Sequence, residues 1–297
     1  MNSLATDIVL KDYGTVFDNL DVAESTKTDY RYRLPLFVTF VNTYGFSPNT
    51  YLEYKRHLRT MPWSVSTKNK HLIVARVFLK EMHRQGLIPS DITLNVKAFK
   101  QSKKHKKRGL NDAEVKRLTT WLSELTDTPE NDRLKAIFSL LLLQGLRLIE
   151  ICRLDFEDID LNNEMLSVWG KGRDDKEPVF LMPQTVTYLQ QYIRSNEIKE
   201  GALFRSNSHS RMGQRLSTRG LREIIAVIFQ MLHINKTAHG TRHYYTSQLL
   251  KYMPGQLLDV AQFTRHQSIE MLRVYDSRNK QDFAFNKVVS AFAGISF

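Results

Sequence analysis

The sequence predicts a mainly α-helical chain in two domains, with one small antiparallel β-sheet in the second. Three observations lead there. Apolar residues recur at three- and four-residue spacing through most of the 297 residues. One stretch, 165–182, switches to short apolar runs separated by glycines and charged residues. Charge is unevenly placed: residues 1–108 hold 19 Lys and Arg against 9 Asp and Glu, and residues 109–297 hold 24 against 22. The net charge of +12 therefore sits almost wholly in the first third.

Residues 1–20 have no strong period and read as a short helix or a tether. From Ser25, a candidate N-cap, Tyr30, Leu34, Phe37, Val38 and Val41 fall at helical spacing, with Gly45 as the stop. Pro35 inside this pattern predicts a kink or a break. A second helix follows Ser47-Pro48, with Tyr51, Tyr54 and Leu58 on one face. A third covers about 66–84 and ends at Gly86; a short fourth is expected after Ser90. Residues 1–100 thus read as a basic helical domain suited to a polyanion, with Lys68, Lys70 and Arg76 as candidate contacts; charge alone does not separate DNA, RNA and acidic membranes. Residues 101–109 read as a basic linker. Lys103, Lys104, Lys106, Lys107 and Arg108 repel one another until a polyanion neutralises them, so the linker is also expected to bind phosphates.

Residues 110–297 form the second domain. Asn111 or Asp112 caps a helix reaching about Leu125. An apolar helix over 131–145 ends near Gly145, and a short one carries Leu148 to Leu154. Met165–Trp169 and 178–182 read as two antiparallel strands joined by a turn around 173–175. Helices resume at Pro183.

No apolar run approaches the ~20 residues a membrane helix needs. Met1 to Lys11 lacks a basic start followed by an apolar stretch, which argues against a secretory leader. The lone Cys152 cannot form an internal disulfide and reads as a buried thiol in a reducing, cytoplasmic compartment.

Four segments of the second domain carry chemistry. In Gln144-Gly-Leu-Arg147-Leu-Ile-Glu150 an arginine follows a glycine turn, with a glutamate three residues on and on the same helical face. Alone it reads as a surface ion pair. Trp169-Gly-Lys171-Gly-Arg173 puts a lysine between two glycines, which permits close approach to a ligand. It lacks the glycine and the Lys-Ser/Thr ending of a P-loop. In Ala238-His239-Gly-Thr-Arg242-His243 the histidines stand at metal-binding spacing. No glutamate follows the first histidine and Arg242 would repel a cation, so no metal site is expected. Thr264-Arg-His266 is followed nine residues later by Tyr275. A lone tyrosine at helical spacing is usually core.

Together the four describe a phosphodiester site. Arginines neutralise non-bridging oxygens, where charge grows in the pentacoordinate transition state. A histidine takes or holds a proton, a lysine protonates the leaving oxygen, and a tyrosine surrounded by cations is a usable nucleophile.

The order Arg, Lys, His-x-x-Arg, His, Tyr resembles the tyrosine recombinase family, in particular its phage-integrase and Xer-like branches. The resemblance covers about residues 20–290. Gln-Gly-Leu-Arg-Leu-Ile-Glu is similar to the family's first arginine box, Trp-Gly-Lys-Gly-Arg to its β-hairpin lysine box, and His-Gly-Thr-Arg-His to its second box. Four departures stand out: Ile149, Thr241, the acidic turn of Asp174, Asp175 and Glu177, and Thr264-Arg265 where the family usually has Leu-Gly.

The resemblance implies a two-domain C-shaped clamp and a site-specific DNA recombinase that needs neither metal nor ATP. Tyr275 would attack the scissile phosphate, form a 3′-phosphotyrosine and release a 5′-hydroxyl. Arg147, Arg242 and His266 would hold the phosphate. Lys171 would be the general acid and His239 the proton acceptor or positioning group, with Glu150 and His243 in support. The implied partners are double-stranded DNA, a homotetramer built from monomers on two DNA sites, and accessory proteins, with no membrane and a nucleoid-associated location. The tail 283–297 would be a helix that docks on a neighbouring protomer. Type IB topoisomerase-like relaxation and a DNA-binding regulator with a vestigial site are the alternatives.

Overall fold

The computed structural model describes residues 15–101, 109–170, 175–266, 268–270 and 272. The expectations for the basic run 103–108, for Lys171, for Tyr275 and for the tail 283–297 lie outside them. The chain divides into two compact units, Met1–Lys103 and Lys104–Phe297.

The first unit is built on α1 (Glu24–Tyr44), α2 (Thr50–Thr60) and α3 (Val65–Arg84). Leu34, Phe37, Val38 and Val41 of α1 meet Tyr51, Tyr54 and Leu58 of α2 and Leu72, Ala75, Phe78 and Leu79 of α3, all buried. Burying each such side chain contributes about 1.5–3 kcal/mol, which fixes the three helices as one body. Phe37 meets Tyr54 edge-on at 4.9 Å and Phe78 at 6.1 Å. Sequence order is visible at the ends of α3. The Ser64 hydroxyl accepts the Thr67 N–H, and Gly86, at φ +74°, lets the Gly86 and Leu87 amides bond back to His83 and Met82.

Three expectations need correction. The cap of α1 is Ala23, not Ser25: Arg31 bonds both Asp18 and Glu24 and holds the first turn two residues earlier. Pro35 does not break α1. Its neighbours 34, 37 and 38 are locked in the core, while Pro35 is exposed and its missing hydrogen bond falls on the solvent side. No helix follows Ser90, since the Asp91 carboxylate takes the Thr93 amide (2.9 Å) and hydroxyl (2.6 Å) and closes a side-chain turn instead. Arg76, half-buried, donates to the Val96 carbonyl and lies 5.4 Å from the Tyr51 ring, which ties the segment after α3 to the bundle. Lys70 is exposed, and Lys68 donates to the Arg59 carbonyl at 2.9 Å.

In the second unit α4 (Asp112–Glu124) opens with a capping box. Asn111 accepts the Glu114 amide and Glu114 accepts the Asn111 amide, both at 2.8 Å. α5 (Pro129–Leu142) is buried nearly all round from Ala136 to Leu142, the signature of a central helix. α6 (Leu148–Arg153) follows the Gly145 turn. Then comes a three-stranded antiparallel sheet in the order β1 (Ile159–Asp160), β2 (Met165–Trp169), β3 (Lys176–Phe180). Leu166 pairs with Ile159 on one side and Val179 on the other, and Leu166, Val168 and Val179 face the core. β3 lies two residues earlier than expected: Met182 caps α7 (Pro183–Ser195), and the Leu181 amide turns to the Glu164 carbonyl. Two residues are too short to show a period, so β1 escapes sequence reading.

Helices α8 (Thr218–Met231), α9 (His239–Tyr252) and α10 (Leu257–Thr264) complete the unit. Among the described residues no helix is long and apolar enough to cross a membrane. Replacing Asn111 by Ala removes the reciprocal cap of α4 and is expected to cost about 1 kcal/mol, read as a lower urea midpoint with an unchanged slope.

Candidate active site

Three helix ends converge: the start of α6, the start of α9 and the finish of α10. Gly145 sets the first. At φ +58° it adopts a turn that other residues resist, and an added Cβ would lie 2.2 Å from the Tyr245 ring of α9. The close approach of α9 to this turn therefore requires glycine. Gly109 acts the same way from the other side, where a Cβ would meet the His243 Cβ at 2.7 Å.

Arg147 stands at the cap of α6. Its backbone N–H donates to Glu150 Oε2 (2.8 Å), its Nη1 to Glu150 Oε1 (2.6 Å) and its Nη2 to the Arg265 carbonyl (3.3 Å). Its side chain is 24% exposed. Glu150 is fully buried. Burial opposes its charge, but Arg265, then the backbone and side chain of Arg147, outweigh that and hold its carboxyl below the usual range.

Arg242, on the first turn of α9, is buried. Its Nη1 donates to the Gly145 carbonyl at 2.5 Å and its Nη2 to the Thr264 carbonyl. The two arginines thus end on consecutive carbonyls, 264 and 265, at the finish of α10. His243 is also buried, and its ring meets that of exposed His239 edge-on at 4.6 Å.

His266 follows directly. Its Nδ1 lies 2.5 Å from the Thr264 hydroxyl, which is 2.6 Å from the Val260 carbonyl. The Thr264 hydroxyl donates its hydrogen bond to the Val260 carbonyl, so it accepts from His266 Nδ1–H and leaves Nε2 as the basic nitrogen. Burial, then Arg242, Arg147 and Arg265, push the His266 pKa down to about 3, so the ring is neutral at physiological pH.

The described site residues expected from sequence, Arg147, Glu150, His239, Arg242, His243 and His266, lie on these converging ends. Sequence reasoning missed the anchors: the carbonyls of Gly145, Thr264 and Arg265, and the Arg265 side chain itself. The replacement of a Leu-Gly pair by Thr264-Arg265 was the available signal. Thr241, the other departure in this region, is fully buried and its hydroxyl donates to the Ala238 carbonyl at 2.8 Å. Among the described residues no cluster of three or more His, Cys, Asp or Glu side chains could hold a metal.

A depressed histidine pKa makes folding sensitive to mild acid. The unfolded chain binds a proton near 6.5, and the folded chain refuses it until about 3. His266 therefore contributes stability in full above 6.5, and that contribution falls away as pH drops toward 3. His266→Gln is expected to flatten the loss of melting temperature between pH 6.5 and about 5, a window above ordinary carboxylate titration. An unchanged slope in that window would show that His266 is protonated in the folded chain.

The Phage integrase family matches residues 108–282, more than half of the chain. Tyrosine recombinase XerC of Lactobacillus delbrueckii subsp. bulgaricus is 27% identical over 219 residues, 71% of each chain. Tyrosine recombinase XerC of Bacillus pumilus is 27% identical over 271 residues, 86% of each. The fold is similar to that of the XerH site-specific recombinase bound to a palindromic difH substrate, with a TM-score of 0.72 at 17% identity over 90% of this chain and 80% of that one. It is also similar to the Tn1549 transposon integrase in complex with circular intermediate DNA, with a TM-score of 0.67 at 15% identity over 92% and 98%. The order of the boxes, the mainly helical fold with its small sheet and the family match agree: this chain belongs to the phage integrase family of tyrosine recombinases.

Proposed function

We propose that this protein is a site-specific DNA recombinase that breaks and rejoins DNA strands through a 3′-phosphotyrosine on Tyr275, without metal or ATP. The observation that carries the reading is the anchoring of Arg147 and Arg242 on neighbouring carbonyls beside His266. Two guanidiniums tied to one stretch of backbone suit a single phosphate. Their fixed positive charge meets the negative charge that builds on a pentacoordinate phosphorus, the work that a divalent ion does in other phosphoryl-transfer sites.

The steps follow from that charge. Tyr275 attacks phosphorus, and its proton passes to a neighbouring base, for which His239 is the assigned group. The 5′-oxygen leaves and takes a proton from Lys171, which falls in sequence between β2 and β3. His266 enters neutral. The approaching phosphate favours a proton on Nε2, and a rotation of the Thr264 hydroxyl toward Nδ1 supports that tautomer. The phosphotyrosine keeps the energy of the broken bond, so a second 5′-hydroxyl reverses the step without a nucleotide.

The DNA partner is supported by the relatives' names and by the basic first unit. Lys68, Lys70 and Arg76, with the run Lys103, Lys104, Lys106, Lys107 and Arg108, are assigned to backbone contacts. A clamp of residues 1–100 and 110–297 around the duplex, joined by 101–109, a tetramer on two sites linked by the tail 283–297, and accessory proteins complete the proposal.

Incubation with a nicked suicide duplex in EDTA tests it. Wild-type protein is expected to yield a denaturation-resistant DNA adduct and Tyr275→Phe none; an adduct that persists in the variant moves the nucleophile elsewhere. Lys171→Ala is expected to slow cleavage at least about a hundredfold, in line with the loss of a general acid, while DNA affinity changes little. A matching loss of affinity would make Lys171 a backbone contact.

A further inference from the structure

Arg265 occupies a place where a glycine would be easier. It ends α10 in the left-handed region, at φ +52° and ψ +47°. An L-residue with a Cβ stays there only when its surroundings hold it. Its side chain is 6% exposed and does not reach outward for a ligand. Nη2 pairs with Glu150 Oε2 at 3.1 Å, Nη1 donates to the Phe263 carbonyl at 3.3 Å, and the backbone carbonyl accepts Arg147 Nη2.

The consequence concerns Arg147. A carboxylate and a guanidinium favour a two-pronged pairing. If Glu150 were shared with no one, Arg147 could turn to engage both oxygens and bury the edge it needs for a phosphate. Here Glu150 is divided: Oε1 goes to Arg147 and Oε2 to Arg265 and the Arg147 amide. Arg147 is left with a single prong on Glu150, and its second terminal nitrogen is led to the Arg265 carbonyl.

We propose that Arg265 is a positioning residue for strand transfer, which divides the Glu150 carboxylate with its side chain and steers Arg147 with its carbonyl. The inference rests on the recombinase reading above. It assigns Arg265 no contact with DNA.

The test is single-turnover cleavage of a suicide duplex at saturating protein, where the rate constant reports the site and the amplitude reports the folded fraction. Arg265→Gly suits the backbone and removes the side chain. It is expected to lower the rate constant about tenfold or more at unchanged amplitude and DNA affinity, with Arg265→Lys recovering part of the loss. The double variant Arg265→Gly, Glu150→Gln is expected to be no slower than the slower single variant, because both act on one pairing. A rate constant within about twofold of wild type in Arg265→Gly, a loss of amplitude alone, or full multiplication of the two single losses overturns the inference. Wild-type protein that forms no adduct in the same assay fails the recombinase reading first, and the inference with it.

Discussion

The finish of α10 holds the site together. Its last carbonyls have no partners within the helix and carry the negative end of the helix dipole. They accept two guanidiniums, Arg242 at Thr264 and Arg147 at Arg265. An arginine taken out of water loses several kcal/mol of hydration, so each must be bonded. Carbonyls meet that need without cancelling the charge, whereas carboxylates would cancel it. Around this point Arg147 and Arg265 share one carboxylate, Glu150, while Arg242 ends on backbone carbonyls. The excess positive charge is what a phosphodiester can use, and it adds to burial, the larger cause, in keeping His266 neutral.

The same constraint reaches back into the fold. Arg242 meets the Gly145 carbonyl only because α9 lies close against that turn, and it lies close because Gly145 has no side chain in the path of Tyr245. Gly109 lets the chain that leads into α4 pack against α9 in the same manner. The central α5 fixes where Gly145 falls, and the capping role of Glu150 fixes the start of α6. Core packing and site chemistry are therefore coupled through a few backbone positions.

Much of this was legible in the sequence, and the reasons differ by element. The helices of the first unit follow from apolar spacing, since Phe37, Tyr54 and Phe78 can be buried together only on helical faces. Asn111, one of two cap candidates with Asp112, announces the start of α4 through cap chemistry; its reciprocal partner Glu114 came only with the structure. The absent helix after Ser90 was misread because Asp91 competes for the backbone amide of Thr93, a local choice that periodicity does not see. Pro35 was misread in the other direction, as tertiary burial of its neighbours overrode its local cost. At the site, the charged groups were legible because their residue types are unusual together. Their anchors were not, because a carbonyl leaves no mark in a sequence. Arg265 was visible only as a departure, and its left-handed backbone became meaningful once Glu150 and Arg147 were seen beside it.

The central claim is that clustered guanidiniums compensate charge on one scissile phosphate. The most direct measurement replaces that phosphate with an uncharged methylphosphonate and compares single-turnover cleavage by wild-type protein and Arg147→Ala. The account predicts that the large loss caused by the substitution on a normal phosphate shrinks strongly on the uncharged one, because the charge that Arg147 neutralises is gone. An equal loss on both substrates would contradict it, since Arg147 would then be acting by some means other than its charge at that phosphate.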